Sequence, residues 1–184
     1  MNDTSIEFEL DDAIVLLLGS DPGKAERRGE IKGITRLEKL IFLLERESNI
    51  AEILTEDSNY YAHNYGPFSQ KVYQAIDILT AAGLVEDSTQ ASANSEDQME
   101  YSRIAGPDAA PSPYSTRDFR LTINGRNYYK ALVSDIPKSA SMDAERIRKQ
   151  FAGWPLRRLI RYVYERYEEY TSNSVIREEI LGEN

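Results

Sequence analysis

The stretch His63-Asn64-Tyr65-Gly66-Pro67-Phe68-Ser69-Gln70-Lys71-Val72-Tyr73, read with the Gly83-Leu84-Val85 that follows it, decides the fold class. Gly66-Pro67 is a tight break that opens a helix, since proline at the first helical position gives up an amide that would have had no partner anyway. Phe68, Val72, Ile76 and Leu79 recur at helical spacing and form a buried stripe. Gly83 supplies a left-handed cap, and Leu84-Val85 reads as a short strand. The spacing predicts a helix over Pro67–Ala82 that runs straight into a strand. The second helix of a helix-turn-helix enters its wing in this way.

Working outward, Asp11-Asp12 followed by Ala13 to Leu18 and Gly19 reads as a first, mostly buried helix. Asp21-Pro22-Gly23 starts a polar, basic loop containing Gly29 and Gly33. Thr35 with Glu38 three residues later has the form of a capping box, and Leu37, Leu40, Ile41 and Leu44 give the next helix one apolar face. A short helical turn is expected over Ile50–Leu54, and Tyr60 to Tyr65 is strand-like in its aromatic content. Residues 87–114 lose every period and read as a long loop. Order resumes at Asp118 to Ile123, an alternating strand, with Thr122 or Asn124 capping a helix to about Val133.

Beyond Pro137, Ser141 or Asp143 is positioned to cap a helix reaching about Ala152, and Gly153-Trp154-Pro155 breaks it. Leu156, Leu159, Ile160, Val163 and Tyr167 stripe the next helix, and Ser172 or Ser174 starts a last one through Ile180. The expected architecture is mainly α (α+β). It is a winged helix-turn-helix over residues 6–135 with a two-stranded wing, and a C-terminal helical appendage over residues 141–182.

The 184-residue chain carries a net charge of −9, which argues against a nucleic-acid partner. The distribution of charge matters as much. Residues 1–21 hold Asp3, Glu7, Glu9, Asp11, Asp12 and Asp21 and no base. Residues 22–39 hold Lys24, Arg27, Arg28, Lys32, Arg36 and Lys39 against Glu26, Glu30 and Glu38, a local net of +3. The absence of cysteine removes disulfides, thiolate catalysis and zinc–sulfur sites, and one histidine, His63, excludes a multi-histidine metal centre. The longest apolar run, Ala13 to Leu18, is too short to cross a bilayer and follows acids rather than bases. A cytoplasmic protein with no membrane partner is the expectation.

The helix Pro67–Ala82 would show Ser69, Gln70, Lys71, Tyr73 and Gln74 near its N-terminus. Short polar donors and one lysine there suit base edges and phosphates, and they equally make an ordinary solvated face. Arg27, Arg28, Lys32 and Arg36 can grip a phosphate backbone, or pair with neighbouring acids. His63 reads as a structural histidine hydrogen-bonded under the helix start. No serine sits in a nucleophile elbow, no phosphate-cradling glycine loop occurs, and Glu168-Glu169 and Glu178-Glu179 point too far apart for carboxylate dyads. A non-enzyme without catalytic residues, metal or cofactor follows as the expectation. From Leu156 to Tyr167 arginines alternate with tyrosines, which serves either stacking on nucleic acid or packing on the wing or a second subunit.

The segment Ile34-Thr35-Arg36-Leu37-Glu38-Lys39-Leu40-Ile41-Phe42-Leu43 resembles the basic-Leu-x-Lys-Leu helix of Panacea-type domains and the related YwgA-like proteins. Tyr65-Gly66-Pro67-Phe68-Ser69 with Val72-Tyr73 resembles the family's Tyr-Gly-Pro segment, and Gly83-Leu84-Val85 its close. Leu121-Thr122-Ile123-Asn124-Gly125 is similar to the Leu-Thr-x-x-Gly junction of winged-helix regulators. Tyr164 to Ser174 resembles the C-terminal tyrosine-rich pattern of the YwgA-like group, with Glu168 where that pattern has proline. The resemblance covers roughly residues 34–85 and 119–180, and the 87–114 insertion departs from it. It implies a winged-helix-like fold and supplies no catalytic residues. Panacea-type domains act as antitoxins by direct contact with a partner, and other winged-helix relatives regulate transcription.

Two functions follow as expectations. One is a transcriptional regulator that places Pro67–Ala82 in the major groove of double-stranded DNA, as a homodimer through the C-terminal helices. The other is an antitoxin-like module that docks on a partner protein, which suits the acidic charge better.

Overall fold

The computed structural model describes residues 7–88 and 117–182. The chain is mainly helical, with two small antiparallel sheets. Its first half comprises α1 (Leu10–Gly19), β1 (Glu30–Lys32), α2 (Ile34–Arg46), a 3-10 turn (Ile50–Glu52), β2 (Tyr61–His63), β3 (Gly66–Phe68), α3 (Gln70–Ala81) and β4 (Val85–Asp87). After the undescribed segment come β5 (Asp118–Leu121), α4 (Ile123–Asp135), α5 (Lys138–Phe151), α6 (Leu156–Arg166), a 3-10 turn (Glu168–Tyr170) and α7 (Arg177–Leu181). The long loop expected over 87–114 lies outside the described residues, except that Asp87 closes β4 and the Ser88 amide donates to the Asp118 carbonyl at 2.9 Å.

One sheet has the order β1-β5-β4, with Ile31 opposite Phe119 and Val85 opposite Leu121. Alternation drives these four side chains into the core and leaves Glu30, Glu86 and Arg120 on the outer face. The first strand replaces part of the expected basic loop. Glu30-Ile31-Lys32 is too short and polar to announce itself, and it becomes a strand because β5 presents an unpaired edge. The second sheet is a hairpin pairing Tyr61 with Phe68 and His63 with Gly66.

That hairpin corrects the expected start of α3. Pro67 lies in a strand rather than at the first helical position, and the helix begins at Gln70. Ser69 is the cap instead, its hydroxyl accepting the Val72 amide at 3.3 Å. The expected capping box of α2 is also replaced. Gly33, at φ +88°, turns the chain off β1 and is tied to Asp118 at 3.1 Å, so the helix starts before Thr35 can cap it. Glu38 is released from capping and turns inward.

One hydrophobic core runs from Phe8 through α1 and α2 to Ile180. The α1 helix is buried from Asp12 to Gly19 because it is apolar on every side. The stripe of α6 (Leu156, Leu159, Ile160, Val163) is buried against α2 and α7 of the same chain. The stripe is therefore used within the chain. No helix among the described residues is long and apolar enough to cross a membrane.

Candidate functional site

Two adjacent charges of α2, Glu38 and Lys39, are 3% and 1% exposed. Such a pair persists in a core only if every remaining hydrogen-bonding position is met. Lys39 Nζ donates to Glu38 Oε2 at 3.0 Å and to the Pro67 carbonyl at 2.6 Å. Glu38 Oε1 accepts the Ser69 amide at 3.0 Å, while the Tyr60 hydroxyl donates to the Glu38 carbonyl at 3.0 Å. Ser69 Oγ donates to the Ser58 carbonyl at 2.5 Å, and Ser58 Oγ donates in turn to Glu45. This network bolts α2, the hairpin and the first turn of α3 together. Burial pushes the Glu45 carboxyl up to about 7, partly offset by the Ser58 hydroxyl.

Above the network opens a groove of about 640 Å³ between α2, the hairpin and α3. Its walls are aromatic. Phe68 lies 5.5 Å from Tyr61, 4.8 Å from His63 and 5.1 Å from Tyr73, centroid to centroid. Gln70, Gln74 and Asp77 of α3 form the polar rim. His63, expected to hydrogen-bond under the helix start, instead packs its ring on Phe68 within the hairpin.

The base-contacting residues expected on α3 divide sharply. Gln70 and Gln74 are exposed. Ser69 is fully buried and its hydroxyl is used for capping and for Ser58, so it cannot reach a base edge. Tyr73 is half-buried against Phe68. Lys71 is held by Glu56 at 3.0 Å and the Asp57 carbonyl at 2.9 Å. Farther along, Asp77 accepts from Arg117 at 3.0 Å, and Asp87 holds the same guanidinium.

The expected phosphate-gripping residues do not join that face. Arg36 is 2% exposed and donates to the Trp154 carbonyl at 2.7 Å, because α2 is buried where the sequence suggested a solvated side. Arg28 is pinned through Nε to the Gly19 carbonyl at 2.7 Å. Arg27 is exposed beside Glu30, and Lys32 is half-exposed on β1. Arg27 and Arg28 share a second cavity with residues of β5 and α4 that has no lining residue in common with the α3 groove.

The arginines of α6 are also occupied. Arg158 stacks on Trp154 at 3.9 Å, Arg166 pairs with Glu47 at 3.1 Å, and Arg157 pairs with Glu179 at 3.4 Å. They brace the C-terminal helices. The sequence reading missed the Glu38–Lys39 pair, although a signal was there. Phe42 and Leu43 lie one turn beyond Glu38 and Lys39, so the polar side of one turn is apolar in the next. A helix patterned that way has no solvent face. No family model, curated protein or solved structure matches this chain.

Proposed function

We propose that this chain is a winged-helix scaffold that docks a cationic segment of a partner protein in the groove beside α3, with no chemistry of its own. The order α1-β1-α2-α3-β4-β5 with β1-β5-β4 pairing supports the winged-helix reading, the β2-β3 hairpin standing between α2 and α3 as an insertion. The Panacea-type resemblance of residues 34–85 points the same way.

The observation that carries the docking reading is the surround of α3. Asp77 lines the groove, and Asp87 shares the Arg117 guanidinium with it. Glu56 and Asp57 line the neighbouring cavity with Lys71, Gln74 and Ile78. The cations among these acids, Lys71 and Arg117, are already ion-paired. A phosphate backbone would meet that field unfavourably, and a lysine or arginine side chain favourably. Ile78, 57% exposed on α3, and the Tyr61, Phe68 and Tyr73 rings add the apolar and aromatic surface on which protein contacts concentrate. A cation over those ring faces gains further attraction.

The test is an array of lysine- and arginine-centred peptides probed with the full chain, beside a short labelled DNA duplex. Wild type is expected to retain peptides that place a cation next to an apolar residue, and Gln74→Arg to lose them. Gln74 is an exposed rim residue, so this change leaves the fold intact. No peptide retained above the Gln74→Arg background would defeat the docking reading. Salt-sensitive duplex binding that tightens in Gln74→Arg would defeat it in favour of DNA.

A further inference from the structure

Among the described residues, a strongly basic cavity lies away from the α3 groove. Its volume is about 600 Å³, and its charged lining is Arg27, Arg28, Arg120, Arg126 and Lys130 against a single acid, Glu30. Three separate elements deliver these cations. The loop before β1 brings Arg27 and Arg28, β5 brings Arg120, and α4 brings Arg126 and Lys130 one turn apart.

The wall is built before any ligand arrives. The Tyr129 ring lies flat on the end of α1, where a Cβ on Gly19 would sit 2.1 Å from Tyr129 Cδ2. Only glycine permits that approach. Arg28 then lies over the ring at 5.6 Å, reaches the Tyr129 hydroxyl at 3.3 Å and is anchored on the Gly19 carbonyl. The Leu121 amide donates to the Gly29 carbonyl at 2.8 Å, holding the loop against β5. Acids reach three of the cations, with Asp21 within electrostatic range of Arg28. Glu30 stands 3.8 Å from Arg27 and 3.9 Å from Arg120, and Glu86 holds Arg120 from the neighbouring strand. Arg28 and Arg126 are directed by backbone carbonyls, which orient a guanidinium without cancelling its charge.

We propose that this cavity binds a compact phosphate-bearing anion, such as a free oligophosphate or a phosphorylated small molecule. Planar guanidinium forks from different elements match the oxygens of one or two phosphates better than they match a single carboxylate. A compact anion sees only this local field. A long polyanion extends past it and meets Glu86 on the outer face of the sheet. The inference does not depend on what the α3 groove binds.

The experiment titrates inorganic tripolyphosphate into the full chain by calorimetry at about 0.15 M salt, where exposed charges more than a Debye length apart are screened. Saturable one-site binding is expected. Arg126→Glu and Lys130→Glu, both exposed, should each weaken it by about tenfold or more while leaving the unfolding midpoint unchanged. Gln74→Arg should leave it as in wild type. A nucleoside triphosphate that binds at least as tightly supports the proposal. The proposal is overturned by no binding at millimolar tripolyphosphate, or by equal binding in the Glu variants. It is also overturned if a short duplex or a polyglutamate peptide of matched charge binds more tightly than either phosphate.

Discussion

The groove beside α3 and the cavity beside α4 enclose nearly equal space, about 640 and 600 Å³, yet they are held open by opposite means. The groove rests on buried charges whose donors and acceptors are met inside the chain. The cavity rests on exposed guanidiniums aimed by single contacts to carbonyls and to a tyrosine ring. In the first, the charge of the buried pair is consumed by folding, so what faces outward is aromatic shape with Asp77 at the rim. In the second, charge remains available to a ligand and folding depends on it little. A basic residue in the sequence is therefore no guide to function until its burial and its partners are known.

The widest separation between the two regions should be in stability. Glu38→Ala strands the Lys39 ammonium and the Ser69 amide in the core and is expected to cost about 3–5 kcal/mol. Arg126→Glu in the basic cavity should stay within about 0.5 kcal/mol. Urea unfolding of both variants checks the contrast, and comparable losses would erase it.

Glycine substitutions sharpen the contrast at smaller scale. Gly66 sits at φ +86°, and a Cβ there would lie 2.5 Å from Tyr164, a fully buried ring. Neither strain can relax, so Gly66→Ala should cost about 2–3 kcal/mol and distort the groove. Gly19→Ala drives a Cβ into Tyr129 as well, but that ring is only half-buried and can swing outward. About 1–2 kcal/mol is expected there, together with loss of the tripolyphosphate site. Thermal unfolding and calorimetry on each variant separate the two effects.

A pH effect belongs to the network beneath the groove. The Glu45 carboxyl is held near 7 in the folded chain, above its ordinary value of 4.5, so the folded state binds the extra proton between those values. Stability from this group is present in full below about pH 4.5 and falls as pH rises through 7. Glu45→Gln keeps an acceptor for the Ser58 hydroxyl and removes the charge. It should raise stability at pH 8 by up to about 2 kcal/mol, discounted for partial solvent screening, and by nothing at pH 4. Unfolding at both pH values reads the difference.

The sequence made the helices of this fold legible wherever an apolar stripe coincided with a stop signal. Val72 to Leu79 closed by Gly83, and Leu156 to Val163 opened by Pro155, are such cases, whereas Phe68 belongs to β3. It misled wherever tertiary pairing overrode local chemistry. Pro67 looked like a helix start and is a strand residue, because the hairpin claims it through Ala62. Thr35 and Glu38 looked like a capping box, until a buried amide and ammonium offered the carboxylate better partners. Half of the basic cavity was visible in Arg27 and Arg28. Its other half, Arg126 and Lys130, lies about 100 residues away and is joined to it only by the fold. No local pattern encodes such a meeting.

The smallest expected stability change carries the most information about α3. Lys71 is the lysine on the face that sequence alone would assign to DNA, and the structure ties it to Glu56 at 3.0 Å and to Asp57. Its side chain is 35% exposed and that of Glu56 is 77% exposed, so the pair is screened and contributes at most about 0.5 kcal/mol. Lys71→Met should therefore leave the unfolding midpoint nearly unchanged. It also removes a cation from the flank of α3 next to the groove, so binding of cationic peptides should hold or tighten by a few fold. A phosphate contact would behave in the opposite way. Lys71→Met would weaken duplex binding across all sequences and lower its salt slope by about one. One substitution at a nearly silent position thus separates a protein-docking helix from a DNA-reading one.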